Sequence, residues 1–130
     1  MNQLAEALQE RTRRFAVSVT GFCRTLPDTW EGRHVRDQLF RAGTGVAASY
    51  HASCRARSHR EFISKLGVVV EESDESVFWL KFVKRAEISD TPDGRGPLCE
   101  ARELLAIFAQ SAKTASANGA KRANRAANYQ

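Results

Sequence analysis

Arginine is the residue whose placement most suggests chemistry in this chain. Arg11, Arg13 and Arg14 sit close together, Arg33, Arg36 and Arg41 follow, and Arg55, Arg57 and Arg60 crowd one short stretch. A guanidinium bonds a phosphate through two parallel N–H groups, so such clusters suit a polyanion. The formal charge is +5, unevenly spread. Residues 29–60 hold six basic and two acidic side chains, and residues 113–130 hold four basic and none acidic. Residues 61–90 reverse the sign, with four basic against seven acidic. The nine arginines are therefore the candidate nucleic-acid contacts, as phosphate ligands. The competing account is a solvated surface, or salt bridges from a neighbouring copy to Glu71, Glu72, Asp74 and Glu75. No zinc finger, helix-turn-helix or aromatic-rich strand motif accompanies the charge, so reading of base sequence is not expected.

Other constellations lead to no reaction. Gly43-Thr44-Gly45-Val46-Ala47-Ala48 fits a dinucleotide fingerprint, which works only between a strand and a helix. Residues 36–42 read as helix, so close helix packing explains the run better. Glu31-Gly32-Arg33-His34 is the Glu-x-x-His element of di-iron bundles, but those need a second copy and two further carboxylates. His51 and Cys54 are three apart and His59 is near in sequence, yet spacing offers no fourth zinc ligand. Glu71 and Glu75 share a helix face and read as a solvated or subunit-pairing stripe. No motif frames a nucleophile with a base. The expectation is no enzyme, no cofactor and no metal.

The elements that hold these residues read as helices. In 130 residues there are only three prolines and eight glycines, with 42% hydrophobic and 27% charged residues. One domain of this size buries a sufficient core without disulfides. Alanine aside, the longest aliphatic or aromatic run is four residues, Val77–Leu80, which includes Phe78–Leu80, followed by the three of Val68–Val70, far short of the ~20 a membrane helix needs. The start of the chain carries no secretion pattern. Cys23, Cys54 and Cys99 form no Cys-x-x-Cys pair, which reads as reduced thiols in a cytoplasm.

Leu4, Leu8, Phe15, Val19, Phe22 and Leu26 make one helical stripe over residues 2–25, stopped by Pro27. Asp28 or Thr29 can cap a second helix over 30–55, with the stripe Val35, Leu39, Ala42, Val46, Ser49 or Tyr50, and Ser53. Gly43 and Gly45 cost that helix roughly 1 kcal/mol each. Either another helix approaches closely there, or the helix breaks. Ser58-His59-Arg60-Glu61 is a capping box opening a third helix over 58–88. Its seam is Phe62, Leu66, Val69, Ser73, Ser76, Leu80 and Val83, with a second stripe of Ile63, Val70 and Val77. Phe78 and Trp79 beside it read as core or interface anchors. Residues 89–97 form the clearest loop. A fourth helix over 97–117 carries Leu98, Ala101, Leu105, Phe108, Ala112 and Ala115. The fold expected is all-α, an antiparallel up-down-up-down four-helix bundle over residues 1–118, with a basic, disordered tail over 119–130.

Gln38-Leu39-Phe40-Arg41-Ala42-Gly43-Thr44-Gly45-Val46-Ala47-Ala48-Ser49, then Ser58-His59-Arg60-Glu61-Phe62-Ile63-Ser64-Lys65-Leu66-Gly67-Val68, resembles a family of small bacterial four-helix bundle proteins. It includes 23S ribosomal RNA intervening-sequence proteins and the accessory variability determinant of diversity-generating retroelements. Arg60-Glu61-Phe62 matches the family's opening of helix three. Where the family often has Asn-Ile-Ala-Glu-Gly, this chain has Ser49-Tyr50-His51-Ala52-Ser53, and Ala47 replaces a common proline. No role tied to that glutamate or proline carries over. The resemblance implies a homopentamer with a basic surface, no catalysis, and association of some members with RNA or a reverse transcriptase. The functional expectation is a non-catalytic homo-oligomer that binds RNA, a DNA–RNA hybrid or a nucleoprotein partner. The alternative is a protein-interaction scaffold that binds no nucleic acid.

Overall fold

In the computed structural model, which describes residues 2–89 and 94–128, four α-helices follow one another: α1 Gln3–Thr25, α2 Trp30–Cys54, α3 His59–Arg85 and α4 Arg95–Asn128. They form an all-α bundle in which α2 packs between α1 and α3, and α3 between α2 and α4. The α1–α4 contact is the weakest of the four.

Local chemistry sets the helix ends. Thr29, not Asp28, caps α2: its hydroxyl accepts the Gly32 N–H at 3.1 Å. Ser58 caps α3, accepting the Glu61 N–H at 3.0 Å. The Glu61 carboxylate reaches back to the Arg57 N–H at 2.8 Å, one residue earlier than a standard capping box. Leu26 turns extended just before Pro27 and ends α1.

The core follows the expected stripes. Leu8, Phe15, Val19, Phe22 and Leu26 of the first stripe are buried, while Leu4 at the open end is 68% exposed. Tyr50 rather than Ser49 continues the α2 stripe, and its ring lies 5.0 Å from that of Phe108. On α4 the fully buried leucine is Leu104, not Leu105, which is half-buried. Ala101, Phe108 and Ala115 of the expected seam are buried, so the buried face is the one read in the sequence, with Leu104 as its central leucine.

α2 runs unbroken through Gly43 and Gly45. A Cβ on Gly43 would meet Val19 Cγ1 at 2.7 Å, so α1 crosses there. A Cβ on Gly45 would meet the Glu72 carboxyl carbon at 2.9 Å, so α3 uses the second gap. Close packing on two sides offsets the glycine cost.

The chain beyond Gly119 departs from expectation. The sequence pattern predicts a disordered tail there, but α4 continues to Asn128 with every residue from Ala120 exposed. Alanine, lysine and arginine are strong helix formers and no proline interrupts them. Reading helix only from bulky apolar periodicity missed this extension.

Candidate nucleic-acid interface

Helix order places the nine candidate arginines in different settings. Arg11 is not free. Its Nε lies 2.9 Å from Glu100 Oε2, and its Nη2 lies 2.6 Å from both Glu100 Oε1 and Glu103 Oε2. The hydrogen bond from Arg11 holds the Glu100 carboxyl below the usual carboxylate range. Arg14 pairs with Glu10 one turn away at 3.4 Å, and Arg13 bonds the Gln9 amide oxygen at 3.2 Å. Arg33 pairs with Asp28 at 3.0 Å, and Arg36 approaches Asp37 at 3.9 Å. Arg41 is exposed on α2, facing Glu72 across the groove to α3.

Arg55, Arg57 and Arg60 differ from these. All three are exposed, and no acidic side chain among the described residues bonds their guanidinium groups. The nearby carboxylate, Glu61, is already committed to the Arg57 N–H and to Lys65 at 3.7 Å. The same end of the bundle gathers the start of α1, the end of α2, the start of α3 and the second half of α4. One groove there is lined by Asn2, Leu4, Tyr50, Cys54, Phe62 and Ser111. His59 fastens α4 across this end through a 2.9 Å hydrogen bond between its Nε2 and the Ala115 carbonyl oxygen.

The remaining constellations do not assemble. His34 stands against Trp79, ring centroids 5.7 Å apart, away from any second Glu-x-x-His element. His51 is exposed while His59 turns to α4, so they and Cys54 share no centre. Among the described residues no group of three or more His, Cys, Asp or Glu could hold a metal ion. Burial pushes the Cys23 thiol up to about 11, and its Sγ faces the Arg36 carbonyl at 3.7 Å. A thiol so raised is a poor nucleophile.

Two features on α3 are defined only by the packing. Glu72 is partly buried between α2 and α3, and its Oε2 has no hydrogen-bond partner among the described residues. Burial, then Glu75 and Glu71, raise its pKa, against Arg41. The second feature is an aromatic group on α3. The Trp79 ring stands edge-on to Phe78 and Phe82 at 4.9 and 5.7 Å, with Phe78 56% exposed. Trp30 at the start of α2 is 79% exposed. The 78, 79, 82 spacing is a signal for one helix face.

No family model matches this chain. No curated protein matches it either. Among the described residues no helix is long and apolar enough to cross a membrane. The chain is similar in fold to a crystal structure of a protein of unknown function from the S23 ribosomal protein family of Bacteroides thetaiotaomicron, with a TM-score of 0.75 and 21% identity. The match covers 84% of this chain and 97% of the other, so the two share the bundle over nearly the whole of the neighbour.

Proposed function

We propose that this chain is a non-catalytic bundle that associates with copies of itself and binds nucleic acid or a nucleoprotein partner through exposed arginines. The observation that carries the reading is the turn between α2 and α3. Arg55, Arg57 and Arg60 are exposed there, with no acidic side chain among the described residues bonded to their guanidinium groups. Unpaired guanidinium groups are available to phosphate without first breaking an ion pair. Arg13, Arg14, Arg33, Arg36 and Arg41 lie along α1 and α2 as secondary contacts, and Arg11, held by two carboxylates, contributes least.

Self-association is supported by the exposed Phe78, Phe82 and Val68 on α3 and Phe40 and Trp30 on α2. Large apolar side chains left in water favour an interface. The family resemblance supplies the specific form: a pentamer in the cytoplasm, serving as accessory to a reverse transcriptase. A neighbour in the S23 ribosomal protein family fits an RNA setting. The same aromatic face favours a second reading, a scaffold that binds protein alone.

The test is a titration of the purified protein with a labelled structured RNA at two salt concentrations, with light scattering on the same sample. Tight binding that falls steeply with salt, by an oligomer, is the expected result. An oligomer that binds no RNA at low salt would leave the scaffold reading.

A further inference from the structure

The extension of α4 bears directly on the arginine turn. From Ala120 to Asn128 it buries nothing, yet it stays helical. At 1.5 Å per residue those nine residues reach about 13 Å beyond Gly119. Gly119 is where the extension leaves the bundle. A Cβ there would meet the His59 ring at 3.3 Å and Ile63 Cδ1 at 3.4 Å, so α4 crosses the first turn of α3. The departing helix therefore begins beside His59 and Ile63, in the first turn of α3 that follows the arginine turn.

Its composition is one-sided. Asn118, Lys121, Arg122, Arg125 and Asn128 recur at spacings of three and four, which puts them on one face. Ala120, Ala123, Ala126 and Ala127 fill the rest, apart from Asn124. Residues 113–128 contain no acidic side chain. The opposite end of the bundle is different. There Arg24, Lys84 and Arg85 are interleaved with Asp28, Glu31 and Glu87. The helix C-terminus favours cations, which accounts for Arg125 in the last turn but not for Lys121 and Arg122 a turn earlier.

The aromatic residues are also segregated. Among the described residues, the exposed aromatic side chains Trp30, Phe40, Phe78 and Phe82 lie on α2 before its midpoint and on α3 after its midpoint. At the basic end Tyr50 is buried and Phe62 half-buried. Single-stranded nucleic acid is held by aromatic side chains on which bases stack. A double helix offers only phosphates and groove walls to a sequence-blind binder, and asks for charge without aromatics.

We infer that the α4 extension and the α2–α3 turn form one basic surface, Arg55, Arg57, Arg60, Lys121, Arg122 and Arg125, that binds the phosphate backbone of double-stranded nucleic acid. This rests on the proposed nucleic-acid function and deepens it by naming the duplex and adding three cations. The alanines between the charges let the helix lie close to the backbone, and the match is of charge rather than base sequence.

The experiment uses the full chain and a fluorescently labelled duplex of mixed sequence, as RNA and as DNA, with the corresponding single strands as competitors. Binding is read by anisotropy across a salt series. The expected result is preference for duplex over single strand. The triple variant K121A/R122A/R125A should lose about tenfold or more in affinity, and its salt slope should fall by about three, near 0.9 per lost phosphate contact. R122K/R125K should bind nearly as wild type. Alanine raises helix propensity, so lost binding cannot come from a melted extension. If the tail triple binds as tightly as wild type while R55A/R57A/R60A loses binding, the arginine turn stands and the duplex surface is overturned. Preference for single strand would overturn it as well. A wild-type chain that binds no oligonucleotide would remove the nucleic-acid reading itself.

Discussion

The Arg11 guanidinium clasps two carboxylates of α4 at once, with Nη2 at 2.6 Å from Glu100 Oε1 and 2.6 Å from Glu103 Oε2. This tie crosses the seam where the bundle packs least, between α1 and α4. Arg11→Ala should lower unfolding stability by about 1 kcal/mol, the pair being partly solvent-screened. Urea denaturation of both proteins at neutral pH checks this. The folded Glu100 carboxyl titrates below its unfolded value because Arg11 bonds its charged form. Its contribution is therefore complete above the ordinary glutamate range and is lost as the pH falls through the lowered folded value. The difference between wild type and variant should shrink in acid, and a constant difference would refute that assignment.

Glu72 runs the other way. Burial first, then Glu75 and Glu71, raise its folded pKa above the unfolded one, with Arg41 of α2 opposing. Ionising it in the fold therefore costs stability, and the cost appears as the pH rises through that window. Glu72→Gln should stabilise the protein by roughly 1 kcal/mol at neutral pH, the order of one poorly satisfied polar group, and by little in acid. Equal stability of the two proteins at neutral pH would mean that the carboxylate is solvated.

Gly43 and Gly45 sit two residues apart and should respond oppositely to alanine. Gly43→Ala drives a methyl into Val19, which is fully buried and β-branched. Overpacking of this kind costs about 1–3 kcal/mol. Gly45→Ala meets only the movable end of Glu72, and the gain in helix propensity of about 1 kcal/mol offsets the shift. Thermal melts of both variants provide the comparison. Equal losses would show that α3 is as tightly held at Gly45 as α1 is at Gly43.

Phe78 and Phe82 stack 6.2 Å apart at an interplanar angle of 11°, both exposed on α3. Phe78→Asp with Phe82→Asp should reduce the mass seen by light scattering to that of one chain. Helix content by circular dichroism should stay the same, since neither ring belongs to the core. An unchanged oligomer would place self-association on another face.

Within the bundle, what the sequence determined is what depends on neighbours along the chain. The stripes at spacings of three and four, Pro27, Thr29 and Ser58 set four helices and all but one end within a few residues. The exception is the end of α4, since the alanine-rich segment is helical by propensity and lacks the apolar stripe by which the other helices were recognised. The candidate arginines were legible as a charge pattern, but their availability was not. Arg11 is neutralised by Glu100, 89 positions away, whereas the guanidinium groups of Arg55, Arg57 and Arg60 bond no acidic partner among the described residues. Such pairings arise only when helices dock. Docking also decided that α2 stays whole, because Val19 and Glu72 occupy the spaces its glycines leave. It also placed Leu104 rather than Leu105 in the core beside Ala101 and Phe108, and carried the extension past His59. A linear pattern records which side chains share a face of one helix. Which partner that face meets depends on how the other three helices pack.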